Sequence, residues 1–186
     1  MYLGAFENMQ THILRILVLS SAFTFSYFVT TLLPTNWGDI SAVQSASLIF
    51  LPHGIRVIAA WLYGWTSVLY LLPIQAYLHW ARVDLVGADL GVILMPVFGL
   101  ICVPLVFEIA ARLGTDMRLS AGYITSWRNV VAVGGVASVI NAVGSNAITG
   151  NSMQTMIFYL IGDIMGMLVL ITATMLFFRM LRKAGI

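Results

Sequence analysis

The sequence predicts an all-α, polytopic transmembrane helical bundle of about six spanning helices, the second of them broken or kinked. Three observations predict it. Of 186 residues, 60% are hydrophobic and only 9% are charged, where a soluble domain carries roughly 25% charged residues; mean hydropathy is +0.96. The apolar residues fall in runs long enough to cross a bilayer, which takes about 20 residues. One of those runs holds Pro52, His53, Gly54 and Arg56 within five residues, a set that lipid-facing helices exclude.

The first span covers residues 12–33 and ends at the polar turn PTNWGD, residues 34–39. It is longer than a signal-peptide core and shows no small-x-small cleavage site before Pro34, so it reads as a retained helix. Residues 41–80 are apolar for 40 residues, too many for one helix. Gly64 and Trp65 divide them into spans at 42–63 and 65–80, the second short and interrupted by Pro73. ARVDLVGAD then reads as a polar connection, followed by spans at 90–111, 129–148 and 154–178. Together they form a single integral membrane domain over residues 1–186, without internal repeats or heptads.

Lys and Arg placement sets orientation. Arg179, Arg182 and Lys183 follow the last span, Arg112, Arg118 and Arg128 flank the connection between spans four and five, and Arg15 marks the start. The connection at 147–153 carries no charge. Both termini are therefore expected in the cytoplasm of a bacterial inner membrane. Trp80 and Trp127 suit interfacial anchoring.

Several classes of function are disfavoured. A net charge of +2 does not suit nucleic-acid binding. The single cysteine, Cys102, cannot form an intrachain disulfide or a cysteine metal cluster, and His12, His53 and His79 show no metal-ligand spacing. No cofactor motif, P-loop, HExxH, CxxC or supported Ser–His–Asp set is present, so the chain reads as a non-enzyme.

The polar residues inside the spans are the candidate site. Pro52 lacks a backbone donor and Gly54 loosens the helix, which places an expected helix break near the midplane. His53 and Arg56 are three residues apart and share a helix face. A charge at that depth costs roughly 2.5–3.5 kcal/mol on insertion scales, so Arg56 is expected to face the bundle interior. Asp163 is the only acid of the last span, between Gly162 and Gly166, whose spacing permits close helix packing. Spans two and six run the same way, which puts His53 nearest Asp163 in depth. Ser138, Asn141 and Ser145 form a polar stripe on span five, and Gln44, Ser45 and Ser47 add polar groups above His53. The cluster His53, Arg56, Asn141 and Asp163 either holds a ligand or locks the helices. Glu108 and Arg112 read as an interfacial i, i+4 pair.

FLPHGIRVIAAWLYGW, residues 50–65, and YLIGDIMGMLVLITATML, residues 159–176, together resemble the MASE1 membrane sensory domain. Pro52, Gly54, Gly162, Asp163, Gly166 and Thr172 carry the resemblance. Leu51 and Ala173 replace a tryptophan and a proline of that family, His53 and Arg56 replace neutral positions, and six spans stand against about eight. The resemblance implies a sensory input module, which in that family feeds a cyclase, phosphodiesterase or kinase output. Here the signal is expected to pass to another membrane or cytoplasmic protein. The six-span plan also resembles, in architecture, the substrate-binding subunits of energy-coupling vitamin transporters.

Three readings follow. A sensory or ligand-binding module predicts a pocket bounded by spans two, five and six. An accessory subunit of a larger complex predicts no cavity and a direct Arg56–Asp163 pair. A transporter subunit predicts an outward-opening pocket and a basic docking face of Arg112, Arg118 and Arg128.

Overall fold

The apolar runs fold into six α-helices in a computed structural model that describes residues 2–33, 47–86, 90–119 and 126–185. They are α1 (Tyr2–Leu32), α2 (Leu51–Tyr63), α3 (Thr66–Val86), α4 (Leu90–Arg112), α5 (Trp127–Thr149) and α6 (Met153–Lys183). Several extend past the expected bounds. Hydropathy marks the lipid-facing length, whereas backbone hydrogen bonding continues into polar residues. Residues 81–86 of the expected connection ARVDLVGAD are thus the last turns of α3. The PTNWGD turn, Gln44 and Ser45 lie outside the described residues.

The count of six spanning helices is met in part. Among the described residues, four helices are long and apolar enough to cross a membrane, over Asn8–Leu32, Leu94–Arg112, Trp127–Thr149 and Met153–Lys183. With 13 residues, α2 reaches about 20 Å at 1.5 Å per residue, short of the ~30 Å hydrocarbon core. The 21 residues of α3 include Gln75, His79, Arg82 and Asp84, which dilute its apolar character.

The expected span 42–63 is helical only from Leu51 among its described residues, and residues 42–46 lie outside them. Residues 47–50 are not helical, and α2 starts at Leu51 with Pro52 in its first turn. Proline is well placed there, because its missing N–H would find no intrahelical acceptor and its φ is already helical. The amides around this start find acceptors elsewhere. Phe50 N donates to the Gly162 carbonyl (2.9 Å) and Leu51 N to Thr30 Oγ1 (3.3 Å). At the other end Gly64 adopts φ 55°, a left-handed value that favours glycine.

Cross-helix contacts give the directions. Thr30 and Phe23 of α1 meet Leu51 and Arg56 of α2, an antiparallel pair. A side chain at Gly162 would strike Ser47, one at Gly166 would strike Phe50, and one at Gly54 would press on Leu170, so α2 runs parallel to α6. Gly134 faces Met167 while Asn141 bonds Asp163, so α5 and α6 are antiparallel. Two apolar clusters result. One joins Val57, Ala60, Val103, Phe107, Val133 and Met167; the other joins Leu19, Phe23, Ile55, Ala59, Leu71 and Leu100. α2 contributes to both, and nine of its 13 residues are buried. It is the axle around which the others pack, and so it can carry polar side chains away from lipid.

The connection after α4 is tied by ions. Arg118 grips Asp116 through two nitrogens (2.9 and 2.7 Å) and reaches Glu108 (2.9 Å), which also holds Arg112 (3.1 Å). The hydrogen bonds from Arg118 hold the Asp116 carboxyl below its usual value. The expected basic docking face is therefore altered: Arg112 and Arg118 are matched by acids. Arg128 lies 5.8 Å from the Trp127 ring centre.

Candidate functional site

Three helices bring the candidate residues together. α2 places His53 and Arg56 one turn apart, α5 supplies Ser138 and Asn141, and α6 supplies Asp163. All five are buried. Asp163 Oδ2 accepts a hydrogen bond from Asn141 Nδ2 (2.7 Å) and stands 3.5 Å from His53 Nδ1. His53 Nε2 lies 3.0 Å from Ser138 Oγ, which lies 3.0 Å from the Gly134 carbonyl. A hydroxyl carries one proton, so Ser138 donates to only one of these two neighbours. If Nε2 is protonated, Ser138 accepts from it and donates to Gly134.

Sequence spacing revealed no Ser–His–Asp set, yet the fold aligns Ser138, His53 and Asp163 in that order from three different helices. Ser138 is fully buried and is not part of the cavity wall described below. At the other end of the row, His53 Nδ1 has no hydrogen-bond partner among the described residues.

Arg56 is held otherwise. Among the described residues it forms no ion pair with Asp163 or any other acid. Nη2 reaches Gln75 Oε1 at 3.5 Å, the outer limit of a hydrogen bond, and Nε is buried without a partner among the described residues. The Phe23 and Phe50 ring centres lie 5.6 and 5.8 Å from its Cζ, within cation–π range. Gly99 of α4 makes the space: a Cβ there would sit 2.8 Å from Arg56 Nη1 and 3.4 Å from Asn141 Oδ1.

These groups border a partly open cavity of about 450 Å³. Phe23 and Tyr27 of α1 line it, with Ser47, Phe50 and Arg56 at the start of α2. Gln75, Leu78 and His79 of α3 and Met95 and Pro96 of α4 form the next walls. Asn141, Ser145, Thr149, Asn151, Tyr159 and Asp163 close it from α5 and α6. The cavity lies toward the α5–α6 connection, at the end of the bundle opposite Gly64 and Arg118. His79 Nδ1 and Nε2 and Ser145 Oγ are buried without hydrogen-bond partners among the described residues.

Of the four residues expected to cluster, Arg56, Asn141 and Asp163 reach the cavity and His53 stands behind Asp163. The polar stripe on α5 divides its work, with Ser138 toward His53, Asn141 toward Asp163 and Ser145 toward the cavity. Gly162 and Gly166 admit the backbone of residues 47–51 rather than another helix's side chains. Gly54 packs on Leu170 and Met167. Sequence reasoning missed Gln75, His79 and Gly99. The first two carried a readable signal, being polar groups one turn apart in an apolar run. Gly99 carried none. No protein-family model, curated protein or solved structure matches the chain.

Proposed function

We propose that this chain is a non-enzymatic membrane module that holds a small ligand within its helical bundle and acts through a partner protein. One observation carries the ligand reading: a cavity of about 450 Å³ bordered by Arg56 and Asp163, two opposite charges that do not pair with each other. An ion pair serving only to lock the bundle has every reason to close, because separated charges in low dielectric are costly. Asn141 bonds Asp163 and His53 stands 3.5 Å from it, which supports a division of labour that leaves Arg56 to a ligand.

The sensory part of the proposal rests on the MASE1 resemblance of residues 50–65 and 159–176. The placement of both termini in the cytoplasm rests on the positive-inside pattern, and puts the cavity toward the outer face. The alternative as a transporter's binding subunit shares the cavity, but its basic docking face is weakened by the acids at Arg112 and Arg118. An accessory role without ligand is favoured by no observation at the site.

The test is purification from native membranes in mild detergent, followed by native mass spectrometry and extraction of small molecules. The expected result is a small-molecule adduct lost on Arg56→Gln, together with a co-purifying protein. A bare chain, without adduct or partner, overturns the proposal.

A further inference from the structure

Opposite charges buried side by side in a membrane protein normally neutralise one another. Here Asn141 stands between them. Its Nδ2 bonds Asp163, and its Oδ1 lies beside the Gly99 space that receives the Arg56 guanidinium. Both charges keep unused capacity. Arg56 is 7% exposed; among the described residues its Nε has no partner and its one side-chain hydrogen bond is the long one to Gln75. Asp163 uses Oδ2 for Asn141, and among the described residues its Oδ1 accepts no hydrogen bond. Both residues border the same cavity.

The complement of that wall is a molecule carrying both signs. Granted that the cavity takes a ligand, as proposed above, we infer that the ligand is a small zwitterion bearing a carboxylate for Arg56 and an ammonium group for Asp163. A plain anion meets Arg56 but is repelled by Asp163. A plain cation meets the reverse. The first amides of α2 do not compete for the carboxylate, since Phe50 N and Leu51 N are engaged by Gly162 and Thr30. The guanidinium, with its fork of N–H donors, suits a planar carboxylate. Phe23 and Phe50 flank it with apolar surface. A volume of about 450 Å³ lies within the range of about 300–1,000 Å³ seen for small-molecule pockets.

The experiment uses the full chain in lipid nanodiscs and calorimetric titration with α- and γ-amino acids. Each is paired with the acid lacking its amino group and the amine lacking its carboxylate. The expected result is at least one amino acid binding about tenfold or more tightly than either matched partner, with a comparable loss on Arg56→Gln and on Asp163→Asn. The matched comparison on the unmodified chain needs no variant, so it stands even if a substitution prevents folding. Acids that bind as tightly as their parent amino acids overturn the zwitterion and leave the ligand cavity standing. Binding by none of the three classes also overturns the zwitterion, while the ligand cavity itself stands or falls with the small-molecule adduct from native membranes.

Discussion

Arg56 depends on its surroundings rather than on a counter-ion. Two aromatic rings, a long bond to Gln75 and the space left by Gly99 hold the guanidinium. Gly99→Ala therefore tests the site more cleanly than changing the arginine. The new methyl meets the tip of a flexible side chain, not backbone, so the fold survives by shifting that tip. We expect a thermal midpoint within a few degrees of the parent and an affinity for the cavity's ligand about tenfold weaker, since a displaced buried charge loses roughly 1.4 kcal/mol or more of its contact. Calorimetry beside a thermal melt reads both. The closeness of His53 to Asp163 was legible in the sequence, because parallel spans can be compared in depth. The position of Arg56 relative to Asp163 was not, because it depends on the rotation of α4 and the absence of a side chain at Gly99.

Among the elements, α2 and α6 are joined where glycine is indispensable. At Gly166 an added Cβ would collide with the Phe50 backbone, which cannot move aside as a side chain can. Gly166→Ala is expected to destabilise by about 2–3 kcal/mol, as overpacking does. Gly135 is the control: a Cβ there meets nothing within 4 Å, and Gly135→Ala is expected to stabilise α5 by up to about 1 kcal/mol through helix propensity. Detergent-titrated unfolding of the two variants checks the contrast. All six helices were readable as apolar runs, but the start of α2 was not. Ser47 to Phe50 are as apolar as the turn that follows, and Pro52 is equally compatible with a mid-helix kink and a first turn. Only the partners Gly162 and Thr30 for the Phe50 and Leu51 amides decide it.

Across the whole molecule, alternating helix directions put the two chain ends at one end of the bundle and the cavity at the other. The proposed orientation predicts a labelling pattern with a membrane-impermeant thiol reagent. Asn151→Cys should react in intact cells, whereas Leu113→Cys, at a position 79% exposed, should react only after permeabilisation. The native Cys102 is buried and contributes little background. The reverse pattern inverts the orientation, and equal reaction from one side counts against the alternation itself. At this scale the membrane class was legible from composition. The number of spanning helices was less legible, because a buried helix of 13 residues is as apolar as one that faces lipid.

That half-length helix has a mechanical consequence. α2 is a stiff strut of about 20 Å, sheathed by its neighbours, with Phe50 just before its upper end and Arg56 near its middle, both in the cavity wall. Its lower end, at Gly64, faces Arg118 in the ionic clasp after α4. A strut of this kind would carry an axial push on Phe50 to Gly64, one helix length away, at the end of the molecule where the chain termini emerge.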